Sequence, residues 1–244
     1  AIPFTQFKVV ESKREDIVVE KYAKSLSLES VSKWGATVAI EKTDDAFMVE
    51  LQNKVLKDFY TFLKTGTLKG TQKKWQKALA IAKGAVLNKF AGMNRNVTEV
   101  VGFANVMDFY DWLGDKEITV QTMFGLQYIK DFFGFSTLFL LPDDYIPAKT
   151  VIATPVENID LYYIDPGDSD FKKLGLDYTT SGETNLIGFH AGGNYTNATG
   201  ETYAIMGMKL WAEYLDGVCV VTVGTTETIP EVSSAVSEVS SNGK

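Results

Sequence analysis

Histidine and cysteine are almost missing from this chain. It has one of each, His190 and Cys219. A single cysteine excludes an internal disulfide, and nothing marks an oxidising compartment. One His and one Cys cannot build a zinc site of the usual ligand type within one chain. No apolar run approaches the ~20 residues of a membrane span, and no signal peptide is visible. No Walker or dinucleotide-binding glycine motif occurs. No acid stands between Asp58 and Glu99, yet the formal net charge is −7, so wholesale nucleic-acid binding is not suggested.

What is present is ordinary globular material. The 244 residues are 45% hydrophobic and 23% charged, enough for one large domain or two smaller ones. The chain begins at Ala1, which predicts removal of something upstream: an initiator Met, a pro-segment or a tag. The organising stretch is Thr43 to Gly66, TDDAFMVELQNKVLKDFYTFLKTG. Met48, Leu51, Val55, Phe59 and Phe62 recur at helical spacing, and Leu56, Tyr60 and Leu63 widen that face. Thr43 is read as the cap, Asp44 and Asp45 suit the positive end of the helix dipole, and Gly66 is the stop. About 20 helical residues make a rod of about 30 Å, on which the rest of the chain must pack.

Residues 4 to 11 and 17 to 25 read as two strands around the polar turn SKRED. Such a ribbon is marginal alone and needs a partner surface. Ser27 to Trp34 reads as a short helix closed by Gly35. A Lys/Gly/Thr connector follows the long helix, then a second helix from about Gln72 to Phe90, with Trp75, Leu79, Ala82, Val86 and Phe90 on its apolar face. From Val97 short strands alternate with short helices. Val97 to Ala104 is a strand, and Asn105 caps a helix ending at Leu113-Gly114. Phe135 to Leu141, Thr150 to Thr154 and Leu161 to Ile164 are strands, and Asp168 to Leu174 is a short helix. Leu186 to Phe189 and a long strand Tyr203 to Tyr214 follow. The latter joins Val218 to Val223 through the tight-hairpin signal Asp216-Gly217. The last twenty residues are poor in large apolar side chains and would be disordered alone, so contacts, including ones from another copy, are expected to hold them. The pattern is α+β.

Little of this carries chemistry. His190 ends an apolar strand with no Ser or Cys credibly paired to it, so a hydrogen-bonded structural role outweighs a general base. Cys219 lies in VCVVTV, a buried-strand setting that makes a thiol inert. DPGDSD (165 to 170) resembles the start of a calcium loop but lacks its Gly and its final Glu; Asx turns and a helix cap explain it better. Catalytic, cofactor-binding and metal-binding residues are therefore none. Sequons at Asn96, Asn194 and Asn197 read as Asn/Thr-rich loops. The basic run Lys69, Lys73, Lys74, Lys77, Lys83, Lys89 and Arg95 contrasts with the chain from Glu99 onward, where acids outnumber bases three to one. Opposite patches of this kind can meet on neighbouring copies, or the basic one can face nucleic acid. A solvated helix face is the common alternative.

The order of these strings resembles a known family. The hairpin, TDDAFMVELQNKVLKDFYTFLKTGT, a Trp/Ala-rich helix, VVGFAN, VQTMFG, VIATPVENIDLYYID, NLIGFHAGGNY and GMKLWAEYLDGVCVVTV together look like the major capsid proteins of tailed bacteriophages of Gram-positive hosts. The resemblance covers roughly residues 4 to 224. It implies a tailed-phage major-capsid fold with an E-loop hairpin, a long spine helix, a peripheral domain and an axial domain. Residues 1–34 would be the E-loop hairpin and short helix, and 35–70 the spine helix and first part of the peripheral domain. Residues 71–185 would be the axial domain, 186–224 the strands completing the peripheral domain, and 225–244 a C-terminal tail. The very short N-terminal arm departs from the family, so its arm contacts are not carried over.

The function this implies is a structural one. The chain would self-assemble into pentamers and hexamers of an icosahedral shell around phage double-stranded DNA, assembled in the host cytoplasm and residing in the virion. A scaffolding segment or protein, a portal and a maturation protease would be partners during assembly, with no cofactor and no membrane. An encapsulin-type compartment of the same fold is the alternative, and a small enzyme using His190 a third reading. The expected contacts between copies are Phe7, Val9, Ile17, Val18 and Tyr22 of the hairpin, with Lys73, Lys74 and Lys77 as a candidate electrostatic interface.

Overall fold

The computed structural model describes residues 16–114, 118–123, 126–180 and 186–232. In chain order the elements are β1 (Glu20–Leu26), α1 (Leu28–Trp34), α2 (Ala36–Leu63), β2 (Leu68–Gln72), α3 (Trp75–Gly92), β3 (Val100–Asn105) and α4 (Val106–Leu113). Then come β4 (Gln121–Met123), β5 (Leu126–Phe132), β6 (Phe135–Leu141), β7 (Thr150–Pro155), β8 (Ile159–Tyr163), α5 (Ser169–Lys173) and β9 (Thr179–Thr180). The last are β10 (Ile187–Asn194), β11 (Thr199–Met206), β12 (Met208–Ala212), β13 (Cys219–Val223) and β14 (Thr228–Val232). No helix of the described residues is long and apolar enough to cross a membrane.

The chain divides into two compact units, residues 1–44 with 162–209, and residues 45–161 with 210–244. The second is built on an eight-stranded mixed sheet, order β14-β2-β13-β7-β3-β6-β5-β4. β7 is buried along its whole length between β13 and β3. Successive residues of a strand face opposite sides, and here each side has its own core. Val151 and Ala153 of β7, and Cys219 and Val221 of β13, pack with Trp75, Leu79, Ala82, Val86 and Phe90 of α3. Ile152 and Val220 point the other way, onto Tyr60 and Leu63 near the end of α2, with Phe103 and Tyr145. A sheet covered on both faces explains the nearly continuous apolar strands.

The first unit carries a four-stranded antiparallel sheet, order β1-β11-β10-β9. β10 and β11 form a hairpin in register from Ile187↔Met206 to Asn194↔Thr199. β8 and β12 pair as a two-stranded sheet where the chain passes between units.

Several expectations need correction. The long helix starts at Ala36, so Thr43 is inside it and caps nothing. It ends at Leu63, ahead of Gly66. Gly66 serves a close approach instead: a Cβ there would stand 2.5 Å from the Val218 carbonyl oxygen. The second helix begins at Trp75, because Gln72 belongs to β2 and Lys74 is extended. The single strand Tyr203 to Tyr214 is broken at Gly207, whose carbonyl accepts the Ile164 N–H at 2.9 Å and which a larger residue would push against Ile164. Asp216-Gly217 is a 3-10 turn, not a hairpin. The strands it joins lie in different sheets, because β13 is drawn between β7 and β2. The C-terminal segment is likewise held in part by its own chain, with β14 antiparallel to β2. Residues 4–15 of the expected hairpin and residues 233–244 lie outside the described residues.

Candidate functional site

The two reactive residue types sit in different settings. Cys219 is wholly buried in β13, registered with Leu68 and Ala153. Burial pushes its thiol up to about 12, the wrong direction for a nucleophile. His190 is exposed on β10, and its Nδ1 lies 3.0 Å from the Asp177 carbonyl oxygen. A carbonyl only accepts, so Nδ1 carries the proton and Nε2 of the neutral ring is the acceptor. The DPGDSD segment forms an Asx turn, Gly167 N–H to Asp165 Oδ1 at 2.8 Å, and a cap, Asp170 N–H to Asp168 Oδ1 at 3.2 Å. No group of three His, Cys, Asp or Glu among the described residues is placed to hold a metal ion.

His190 also lines a groove of about 330 Å³ in the first unit. Its floor is Lys21, Tyr203 and Ile205 on β1 and β11; its wall is the loop Gly175–Tyr178. The wall is fixed. Gly175 holds a left-handed φ of 74°, Leu176 N–H reaches the Phe171 carbonyl at 3.0 Å, and the Phe171 and Tyr178 rings meet edge to face at 6.0 Å.

Of the hairpin candidates, Phe7 and Val9 lie outside the described residues. Ile17 is half-buried, and Val18 is 74% exposed immediately before β1. Tyr22 lies on β1, which pairs with β11 of its own chain along all seven residues. That half of the ribbon therefore has a partner surface at home.

The basic run is partly neutralised within its own chain. Lys77 Nζ lies 3.0 Å from Glu227, Lys89 2.5 Å from Asp216, and Arg95 2.9 Å from Glu213 with its guanidinium 4.6 Å from the Tyr214 ring centre. The Lys77 hydrogen bond, first among several interactions, holds the Glu227 carboxyl below its ordinary range. Lys83 donates to the Gly134 carbonyl. The acidic patch expected on a neighbouring copy is thus supplied in part by the late segment of the same chain.

Sequence reasoning missed two buried amides. Asn158 Nδ2 donates to Thr154 Oγ1 (3.2 Å) and the Tyr214 carbonyl (2.9 Å), and its Oδ1 accepts the Tyr214 N–H (2.9 Å). Asn105, found as a cap through Met107 N–H at 2.8 Å, also donates to Asp143 and to the Ile146 carbonyl. Partners this far along the chain leave no local signal.

These elements and their order define the fold class: α+β, with the fold of tailed-phage major-capsid proteins and encapsulins. No protein-family model and no curated protein matches the sequence; the likeness is to solved structures. A virus-like particle from Pyrococcus furiosus is 13% identical with a TM-score of 0.51, over 88% of this chain and 79% of that one. A chain of Mycobacterium phage Che8 is 9% identical with a TM-score of 0.55, over 89% and 76%. The holo-SrpI encapsulin complex of Synechococcus elongatus PCC 7942 gives 10% and 0.51, over 88% and 78%. At these identities the likeness is one of fold.

Proposed function

We propose that this chain is the repeating subunit of a closed icosahedral shell, the major capsid protein of a tailed bacteriophage of the type infecting Gram-positive hosts. The observation that carries this reading is the likeness in fold, over almost nine-tenths of the chain, to a virus-like particle, a phage chain and an encapsulin. On this reading the copies gather as pentamers and hexamers around double-stranded DNA, assemble in the host cytoplasm and remain in the virion. A scaffold, a portal and a maturation protease act during assembly. The E-loop, peripheral and axial assignments keep the residue ranges given above. Val18 and Tyr22 of the hairpin and Lys73, Lys74 and Lys77 are contact residues. The subunit role needs no catalysis.

An encapsulin-type compartment is the second reading. It is favoured by the SrpI encapsulin, which fits at a TM-score close to that of the phage chain. Electron microscopy of particles from the natural source, with a nuclease-protection assay, separates the two. Closed shells holding protected double-stranded DNA are expected. Shells free of nucleic acid but loaded with a protein cargo would favour the compartment. A monodisperse monomer across concentration, salt and crowding agent would remove both.

A further inference from the structure

We propose that the groove of the first unit is the seat for Tyr195 of a second copy of this chain. The proposal rests on the reading of the chain as a self-assembling subunit, and adds which side chain of one copy enters which site of another.

Tyr195 stands at the tip of the β10–β11 hairpin and is 99% exposed. A large aromatic side chain wholly in water on a fixed support is an anchor without its pocket. The support is well determined. Asn194 Oδ1 accepts the N–H groups of Thr196 and Asn197 at 3.0 and 3.4 Å. Asn194 Nδ2 donates to Glu201 at 2.8 Å, and Thr199 Oγ1 donates to the same carboxylate. Ala198 holds a left-handed φ of 50°, which closes the turn. A tip already held in one shape loses little freedom on docking.

The groove suits a phenol. Its walls are Leu176, Ile205 and the rings of Tyr178 and Tyr203. Its volume of about 330 Å³ lies at the small end of ligand pockets, on the scale of one aromatic side chain. His190 adds polar specificity: with Nδ1 donating to Asp177, Nε2 is left to accept a phenol O–H. Glu201 links knob and groove, since it accepts from Asn194 at the tip and from the Tyr203 hydroxyl on the groove floor. A chain cannot fill its own groove. His190 and Tyr195 are five residues apart on one extended strand, about 16 Å, beyond the reach of a tyrosine side chain. Knob and groove are different surfaces of the unit, so the contact is head-to-tail and propagates from copy to copy.

The test is disulfide trapping. Tyr195→Cys and Leu176→Cys chains are prepared separately; Cys219 is buried and stays silent. Oxidised under assembly conditions, the mixture is expected to give a covalent dimer that neither variant gives alone. Tyr195→Ala and Leu176→Asp are each expected to raise the concentration at which assembly begins about tenfold, with thermal unfolding unchanged. A covalent dimer in Tyr195→Cys alone would mean that tips meet tips, and would overturn the proposal. So would the absence of a dimer from the mixture. Closed shells in that untrapped sample would leave the capsid reading standing, whereas a persistent monomer would remove both.

Discussion

Asn158 holds together three backbone segments with one side chain. It is 2% exposed, and its amide satisfies Thr154 and both backbone groups of Tyr214. Replacing it with alanine leaves the Tyr214 N–H and carbonyl without this partner, at about 1–3 kcal/mol for each buried group left unpaired. Asn158→Ala should lower the unfolding free energy in urea by about 2–4 kcal/mol; a loss under 0.5 kcal/mol, roughly a surface value, would show that water or relaxation replaces the amide. Gly217 makes a similar demand through shape. A Cβ there would lie 2.5 Å from the Phe90 ring, and overpacking of this kind costs about 1–3 kcal/mol.

Asp108 predicts a pH dependence. Desolvation raises its carboxyl above the ordinary value, opposed by the Lys149 N–H, which donates to it at 2.5 Å; Asp111 and Asp143 add to the rise. A carboxyl whose folded value is raised contributes stability below its unfolded value, and that contribution is lost as pH rises through the folded one. Asp108→Asn keeps an oxygen for Lys149 and never ionises. The variant should therefore gain stability relative to wild type at neutral pH, and the gap should close as pH falls and Asp108 takes up its proton. Urea melts at several pH values measure it. A gap that widens on acidification would mean the carboxylate is net stabilised.

At the scale of elements, β14 shows what the sequence could not announce. Gln72 Nε2 donates to the Thr228 carbonyl at 2.9 Å, the Thr71 N–H reaches Thr228 Oγ1 at 2.8 Å, and Pro230 packs where a Cβ on Gly70 would stand 2.7 Å from it. Neither partner looks like a strand alone: β2 is a Lys/Gly/Thr-rich five-residue piece, and β14 carries a proline. Their pairing links residues more than 150 positions apart. By contrast α3 was legible because its apolar face repeats at helical spacing, and α4 because Asn105 and Gly114 mark its ends. The groove was invisible for the same reason as β2. Its lining comes from three distant segments, and His190 shows its setting only once Asp177 is folded beside it. Truncation after Glu227 removes both hydrogen bonds to Thr228, at about 1 kcal/mol each. The expected loss is about 2 kcal/mol, with the rest of the sheet intact by circular dichroism. Unchanged stability would show that β14 adds nothing to its own sheet.

For the whole molecule, the issue is which surface is built for folding and which for association. β1 is committed to its own chain through β11, so substituting Tyr22 within it would mix the two effects. Val18 does not have that defect. It precedes β1 and is 74% exposed, so an aspartate there gives up little buried area in the isolated subunit. If the ribbon lies over a neighbouring copy, Val18 is buried there, and full burial of a valine-sized side chain is worth about 1.5–3 kcal/mol. A charge forced into that contact loses this and adds a desolvation cost. Because every copy in a closed shell repeats the contact, a small defect is multiplied across the assembly. Val18→Asp should thus melt cooperatively at nearly the wild-type temperature and fail to form shells. Circular dichroism and electron microscopy on one preparation decide it. Normal shells would place Val18 outside any contact between copies, and an unfolded variant would assign it to the subunit's own core; either outcome ends this account of the hairpin.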